Sequence, residues 1–277
     1  ESLPSVESGV LLIFALFAMT AACGSTSQKR GKESQNSAQT SSQKAPKYYT
    51  FRTVAELPHS TSDYTQGFEY ADGLFWEGTG GYGTSVLKRY EPTAGGAAQK
   101  EIALSRTYFG EGITLLGEKI YQLTWRKGKA FVYDKESFRK IGEFGYEGEG
   151  WGLATDGQVL YMSDGSHTIT VRKPDTFEPI RTIAVTLGGK KVVNLNELEW
   201  IDGEIWANVY MTDNIVRINP ESGKVVGVVD LAGLQLPSDV SYNTDVLNGI
   251  AYDKTTGRIW LTGKNWNKIY QVEIVEK

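Results

Sequence analysis

The chain has 277 residues, 40% of them hydrophobic and 22% charged, with a formal charge of −4. One Cys permits no internal disulfide and no Cys-rich zinc site, and two His (His59 and His167) cannot build a three-His zinc site. A net negative chain has no global attraction for nucleic acid, so no nucleic-acid partner is expected.

Val10 to Met19 is an apolar run too short to span a bilayer, which needs about 20 residues. It ends in Thr20-Ala21-Ala22-Cys23-Gly24, small residues ahead of the only Cys. This resembles the lipobox of bacterial lipoprotein signals, with Thr20 where Leu is usual. The resemblance implies that residues 1–22 are a signal and that Cys23 carries a lipid. It also implies an exported, membrane-anchored protein of the periplasm or cell envelope. An ordinary secretory signal with an incidental Cys is the alternative. Glu1 to Gly9 lack the Met and basic residues of a signal start, which fits a truncated beginning. Residues 23–47 are rich in Ser, Gln, Thr and Lys. They hold too few apolar side chains to offset ordering entropy and read as a flexible tether.

From Tyr48 onward five segments read alike: QGFEYADGLFWEG from Gln66, EGITLLGEKIYQLTW from Glu111, WGLATDGQVLYMSDG from Trp151, NELEWIDGEIWANVY from Asn196 and NGIAYDKTTGRIWLTGK from Asn248. Each opens with a polar or aromatic residue followed by Gly, except that Glu197 stands in the fourth. A short apolar strand follows, then a turn such as Asp72-Gly73 or Asp202-Gly203, then an aromatic-rich second strand. A third strand alternates apolar and polar residues, and a fourth follows in the first four repeats. The fifth repeat stops after three strands, and Thr50 to Pro58 reads as the strand that supplies its fourth. The repeats start every 40–52 residues. Four-stranded repeats of that period predict an all-β domain over residues 48–277, a five-bladed β-propeller closed by its N-terminal strand. An unclosed β-sandwich or solenoid is the alternative, which the closing strand argues against.

In a propeller the first strand of each blade lines the channel. That would place Gln66, Glu111, Trp151, Asn196 and Asn248 in a ring at one mouth. The second strand runs back to the same face and would bring Trp125, Asp164, Tyr210 and Lys264 there. Gly78 to Gly81 in the first repeat would leave the backbone open to a ligand. Trp76, Trp200, Trp206 and Trp260 fall inside strands and read as core. Glu111 lies between Gly110 and Gly112, after Tyr108-Phe109. Desolvation there raises a carboxylate pKa, and a nearby Lys264 pulls it down. His59 and His167 read as structural. The glycine run from Gly78 to Gly83 lacks the Lys-Ser/Thr of a phosphate loop. No metal-ligand spacing is visible, and neither metal nor cofactor is expected.

The motifs Tyr64-Thr65-Gln66-Gly67-Phe68, Phe109-Gly110-Glu111-Gly112-Ile113-Thr114, Gly150-Trp151-Gly152-Leu153, Leu195-Asn196-Glu197-Leu198-Glu199, Leu247-Asn248-Gly249-Ile250-Ala251 and Thr262-Gly263-Lys264 occur in order through every repeat. Together they resemble the glutamine cyclotransferases of plant and bacterial type, from about Tyr48 to Ile274. The resemblance implies a five-bladed propeller and a monomeric, metal-independent acyltransferase. Its substrates would be peptides or proteins with N-terminal Gln, converted to pyroglutamate with release of ammonia. It implies Glu111 as catalytic acid/base and Asn196 and Lys264 as active-site donors. Gln66 would hold the substrate main chain, and Trp125 and Trp151 would wall the pocket. Tyr64, Phe109, Tyr210, Asn248 and Asp164 complete the expected substrate site. Tyr210 stands where plant-type members often have Trp, and Tyr64 replaces a Phe; both bear on substrate preference. Two other classes stay open: a non-catalytic propeller that binds a peptide or glycan, and a propeller lactonase or hydrolase with a channel metal. For such a metal only Glu111, Asn196 and Asn248 are offered.

Overall fold

Short apolar–polar alternations separated by Gly and Asp turns give strands and almost nothing else. The computed structural model describes residues 45–277. Among the described residues the chain is all-β, with one 3-10 turn at Pro237–Asp239. The expected signal, Cys23 and the tether up to residue 44 lie outside the described residues.

Strand β1 (Lys47–Pro58) comes first. β2 (Thr65–Ala71), β3 (Leu74–Thr79), β4 (Val86–Tyr90) and β5 (Lys100–Ala103) then form an antiparallel sheet in chain order. β6 (Gly110–Leu116), β7 (Lys119–Thr124), β8 (Lys129–Asp134) and β9 (Lys140–Gly145) form a second. β10 (Leu153–Thr155), β11 (Leu160–Ser163), β12 (Thr168–Arg172) and β13 (Pro179–Ala184) form a third. A small hairpin of β14 (Thr186–Leu187) and β15 (Lys190–Lys191) interrupts the series, which the repeat pattern does not foretell. β16 (Leu195–Ile201), β17 (Glu204–Val209), β18 (Asn214–Ile218) and β19 (Val225–Asp230) follow as a fourth antiparallel group. β20 (Leu247–Asp253), β21 (Arg258–Gly263) and β22 (Lys268–Glu276) make the last group.

β1 pairs antiparallel with β22 along nearly its whole length and so is the fourth strand of the last group. Its first residues, Lys47 to Tyr49, also pair in parallel with Gly227 to Val229 of β19. The last two groups are thereby joined into one eight-stranded sheet. The first and last strands of the described residues are thus tied by backbone hydrogen bonds.

The first strands of the five groups, β2, β6, β10, β16 and β20, pack against one another in a closed circuit. Five apolar clusters lie between successive groups. Phe68, Phe75 and Tyr90 meet Ala251, Trp260 and Ile269, for example, and Ile169 and Ile183 meet Leu198 and Ile205. Alternating side chains of each sheet thus serve the clusters on both of its faces. Trp76, Trp206 and Trp260 are buried in these clusters, while Trp200 is half-buried and stacks on Tyr161. The turns at Asp72-Gly73 and Asp202-Gly203 carry positive φ at both residues, as a tight two-residue hairpin turn requires.

Candidate active site

The opening Gly of each repeat has a packing cause. A Cβ at Gly67 would stand 2.3 Å from Ile113 N, at Gly112 2.6 Å from Trp151 O, and at Gly152 2.0 Å from Asn196 O. Neighbouring first strands approach too closely there for a side chain. The exception, Glu197, extends its buried carboxylate to accept from Phe68 N (3.3 Å) and Ile250 N (3.0 Å).

The residue before that position sits at a β-bulge in four of the strands. Register slips by one residue at Gln66, and again across Glu111-Gly112, Asn196-Glu197 and Asn248-Gly249. A bulge turns a side chain out of the pleat. Here it aims Gln66, Glu111 and Asn196 into one cavity of about 380 Å³. Tyr64, Phe109, Trp125, Trp151, Tyr210 and Lys264 complete its lining.

These six side chains form a closed wall. Tyr64 meets Phe109 edge-on at 6.3 Å between centroids, and Phe109 meets Trp125 at 5.5 Å. Trp151 meets Tyr210 edge-on at 5.6 Å. Lys264 Nζ lies 4.9 Å from both the Tyr64 and Tyr210 ring centroids. Trp125 and Trp151 are bridged by Glu149, which accepts from both indole N–H groups at 2.7 and 2.9 Å.

Glu111 is buried in this wall, and desolvation pushes its pKa well above the ordinary carboxylate range; Lys264 opposes the rise and Glu149 adds to it. Burial lowers the pKa of Lys264, which the charges of Glu111 and Asp245 partly restore. Backbone bonds fix the lysine: Lys264 N donates to Val246 O, Asp245 N to Lys264 O, and Asn265 N to Asp63 O. Gly263 lets Trp266 lie against the turn, since a Cβ there would come within 2.2 Å of its ring. Asn196 Oδ1 has no hydrogen-bond partner, and its amide lines the cavity. Gln66 is buried with Asn248 behind it; Asn248 Nδ2 donates to Thr65 O at 3.0 Å and reaches Gln66 Oε1 at 3.5 Å.

Nine of the residues expected at the site therefore line one cavity. Asn248 stands one layer behind it. Asp164 is absent from it: its carboxylate accepts from Ser166 N at 2.9 Å, and the Trp151 indole lies over the neighbouring Gly165. Gly80 does not open the backbone to a ligand either. Its missing side chain makes room for Phe109, whose ring a Cβ would approach to 2.3 Å. Tyr64 does not present a free hydroxyl, because it donates to Asp245 Oδ2 at 2.8 Å.

Two features escaped the sequence. Glu149 was missed because it lies in a Gly-rich connection outside the repeats; its spacing two residues before Trp151 was the available signal. The second is a buried cluster. His59 Nδ1 bonds Trp266 O at 2.9 Å, and His59 Nε2 bonds the Glu77 carboxylate at 3.2 Å. Both partners accept only, so both ring nitrogens carry protons. Burial disfavours that cation, but the charge and hydrogen bond of Glu77 outweigh it and raise the His59 pKa. His59, Asp63 and Glu77 place three ligand-type atoms within 4.8 Å of one another. Lys88, bonded to Asp63 and to Gly96 O, already supplies positive charge there.

A ring of β-sheets that buries a carboxyl, an ammonium and a carboxamide at one aromatic pocket has the make-up of an acid–base enzyme. The sequence profile of the glutamine cyclotransferase family matches residues 19–274. A glutaminyl-peptide cyclotransferase of Arabidopsis thaliana is 42% identical over 226 residues, which cover 80% of this chain and 70% of that protein. The crystal structure of glutaminyl cyclase from Myxococcus xanthus superposes with a TM-score of 0.79 at 33% identity, over 84% of this chain and 99% of that one. The chain belongs to the glutamine cyclotransferase family.

Proposed function

We propose that the chain is a glutaminyl-peptide cyclotransferase built as a five-bladed β-propeller, with Glu111 as its proton shuttle. The observation that carries the reading is the buried Glu111 carboxyl, inside an aromatic cage with Lys264 and Asn196, in a chain of this family. The substrate is the N-terminal glutamine of a peptide or protein. Its α-amine attacks the side-chain amide carbon, a C–N bond forms, and the carbonyl electron pair moves onto oxygen. Glu111 takes the proton released by the attacking nitrogen. Lys264 and the Asn196 amide donate to the developing oxyanion. Glu111 then returns the proton to the amide nitrogen, that C–N bond breaks, and ammonia leaves. Desolvation suits Glu111 to both transfers, because it brings a carboxyl's proton affinity closer to neutral pH. Gln66 binds the substrate main chain, and Trp125, Trp151 and Tyr210 hold the glutamine folded for attack.

No step calls for a metal, so activity in excess EDTA is expected to equal activity without it. A lipid on Cys23 and export to the cell envelope belong to the same reading, as does a monomeric state. The deciding experiment is incubation of the purified protein with a Gln-initiated peptide, read by mass spectrometry for loss of one ammonia. No loss above the spontaneous rate would sink the proposal.

A further inference from the structure

Around the pocket wall, neighbours touch ring to ring or through Lys264, except at one place. There a single carboxylate makes the join. Trp125 follows β7 and Trp151 precedes β10, so the two indoles come from different sheets. Both donate to Glu149 Oε2, at 2.7 and 2.9 Å. Arg126 Nε donates to the other oxygen at 3.0 Å, and its guanidinium stacks 3.7 Å from the Trp125 centroid. Half-buried indole N–H groups are best satisfied by an acceptor, and an ionised one binds them most strongly. Burial alone would raise the Glu149 pKa, but the bonds from Trp151, Trp125 and Arg126 hold it below the ordinary range, so it is charged.

We propose that Glu149 is a positioning residue for the cyclisation: its carboxylate fixes the spacing of Trp125 and Trp151. The inference rests on the cyclotransferase reading.

Two variants test the join. Glu149→Gln keeps an oxygen for both indoles and loses the charge; Glu149→Leu loses both. With a Gln-initiated peptide, Glu149→Leu is expected to lower kcat/KM about tenfold or more, with a raised KM. Glu149→Gln should raise KM less, because its oxygen can still join the two indoles. Near-UV circular dichroism of the tryptophans, recorded without substrate, should change in Glu149→Leu and stay close to wild type in Glu149→Gln. A wild-type tryptophan signal and KM in Glu149→Leu would overturn the positioning role. If the unsubstituted protein released no ammonia, the cyclotransferase reading would fall, while the tryptophan signal would still decide the wall.

Discussion

Replacing Gly112 by Ala puts the close approach of the first strands to a direct test. The new Cβ would stand 2.6 Å from Trp151 O, 2.7 Å from Leu153 N and 2.8 Å from Gly152 C. All three are backbone atoms of the next sheet, so no side-chain rotation relieves the clash. Ordinary contact begins at 3.4 Å, and the strands must therefore part by several tenths of an ångström. That movement also stretches the hydrogen bond from Gly112 N to Trp151 O, now 2.7 Å. Overpacking costs roughly 1–3 kcal/mol, and the weakened bond about 1 kcal/mol more. For a domain of this size each kcal/mol lowers Tm by about 2–4 °C, so a fall of roughly 4–16 °C is expected by calorimetry. Glu111 rides on the same bulge, so turnover should fall even well below Tm. Gly142→Ala is the control, since its Cβ would meet only Val132 Cβ at 3.9 Å; its Tm should stay within about 1–2 °C. Equal melting of wild type and Gly112→Ala would refute the argument that close approach dictates the glycine.

Other outcomes follow from the buried charges. Glu111→Gln should lower turnover ~10²-fold or more in the ammonia-release assay. Its Tm at neutral pH should not drop. The folded-state pKa of Glu111 lies above its unfolded value, so ionising it costs stability as pH rises, and Gln removes that cost. Near-wild-type turnover would remove Glu111 from the mechanism. Lys264→Met takes away the charge that holds the Glu111 pKa down, so the acid limb of its residual pH–rate profile should move to higher pH; an unmoved limb would refute the pairing. Burial acts to raise the Glu77 pKa, but His59 and Lys88 outweigh it and bring it from 4.5 to about 2. Its stabilisation is therefore full above about pH 4.5 and lost as pH falls through about 2. Urea unfolding across that range should show a smaller loss in Glu77→Gln than in wild type, and the variant's stability at neutral pH should already be lower. Parallel curves would show that the cluster adds nothing to acid stability.

The periodicity of the chain made the strands legible. Apolar–polar alternation, Asp-Gly turns and the recurrence every 40–52 residues need only neighbouring residues to act. The recurring residue-plus-Gly pair marked Gln66, Glu111, Trp151 and Asn248, and alignment of the repeats added Asn196 before Glu197, yet the cause of the pair was invisible. It lies in the backbone of the next sheet, as for Gly112 against Trp151 O. Asp164 shows the limit of alignment by repeat. It occupies the same place in its repeat as Trp125 and Lys264, but the Trp151 ring covers its turn, and its carboxylate closes on Ser166 N.

By itself the sequence determined the all-β class, the five repeats, the strand that completes the fifth, and most of the side chains that line the pocket. These depend on local pattern and on order along the chain. Tertiary structure alone decided which of those side chains reach the cavity and what charge they carry there. It brought Glu149 between two indoles from different sheets and buried Glu111 beside Lys264, which is 153 positions away. It also made His59 a cation through Glu77 and Trp266. Desolvation and hydrogen bonding act through space, between residues that the strand pattern does not relate.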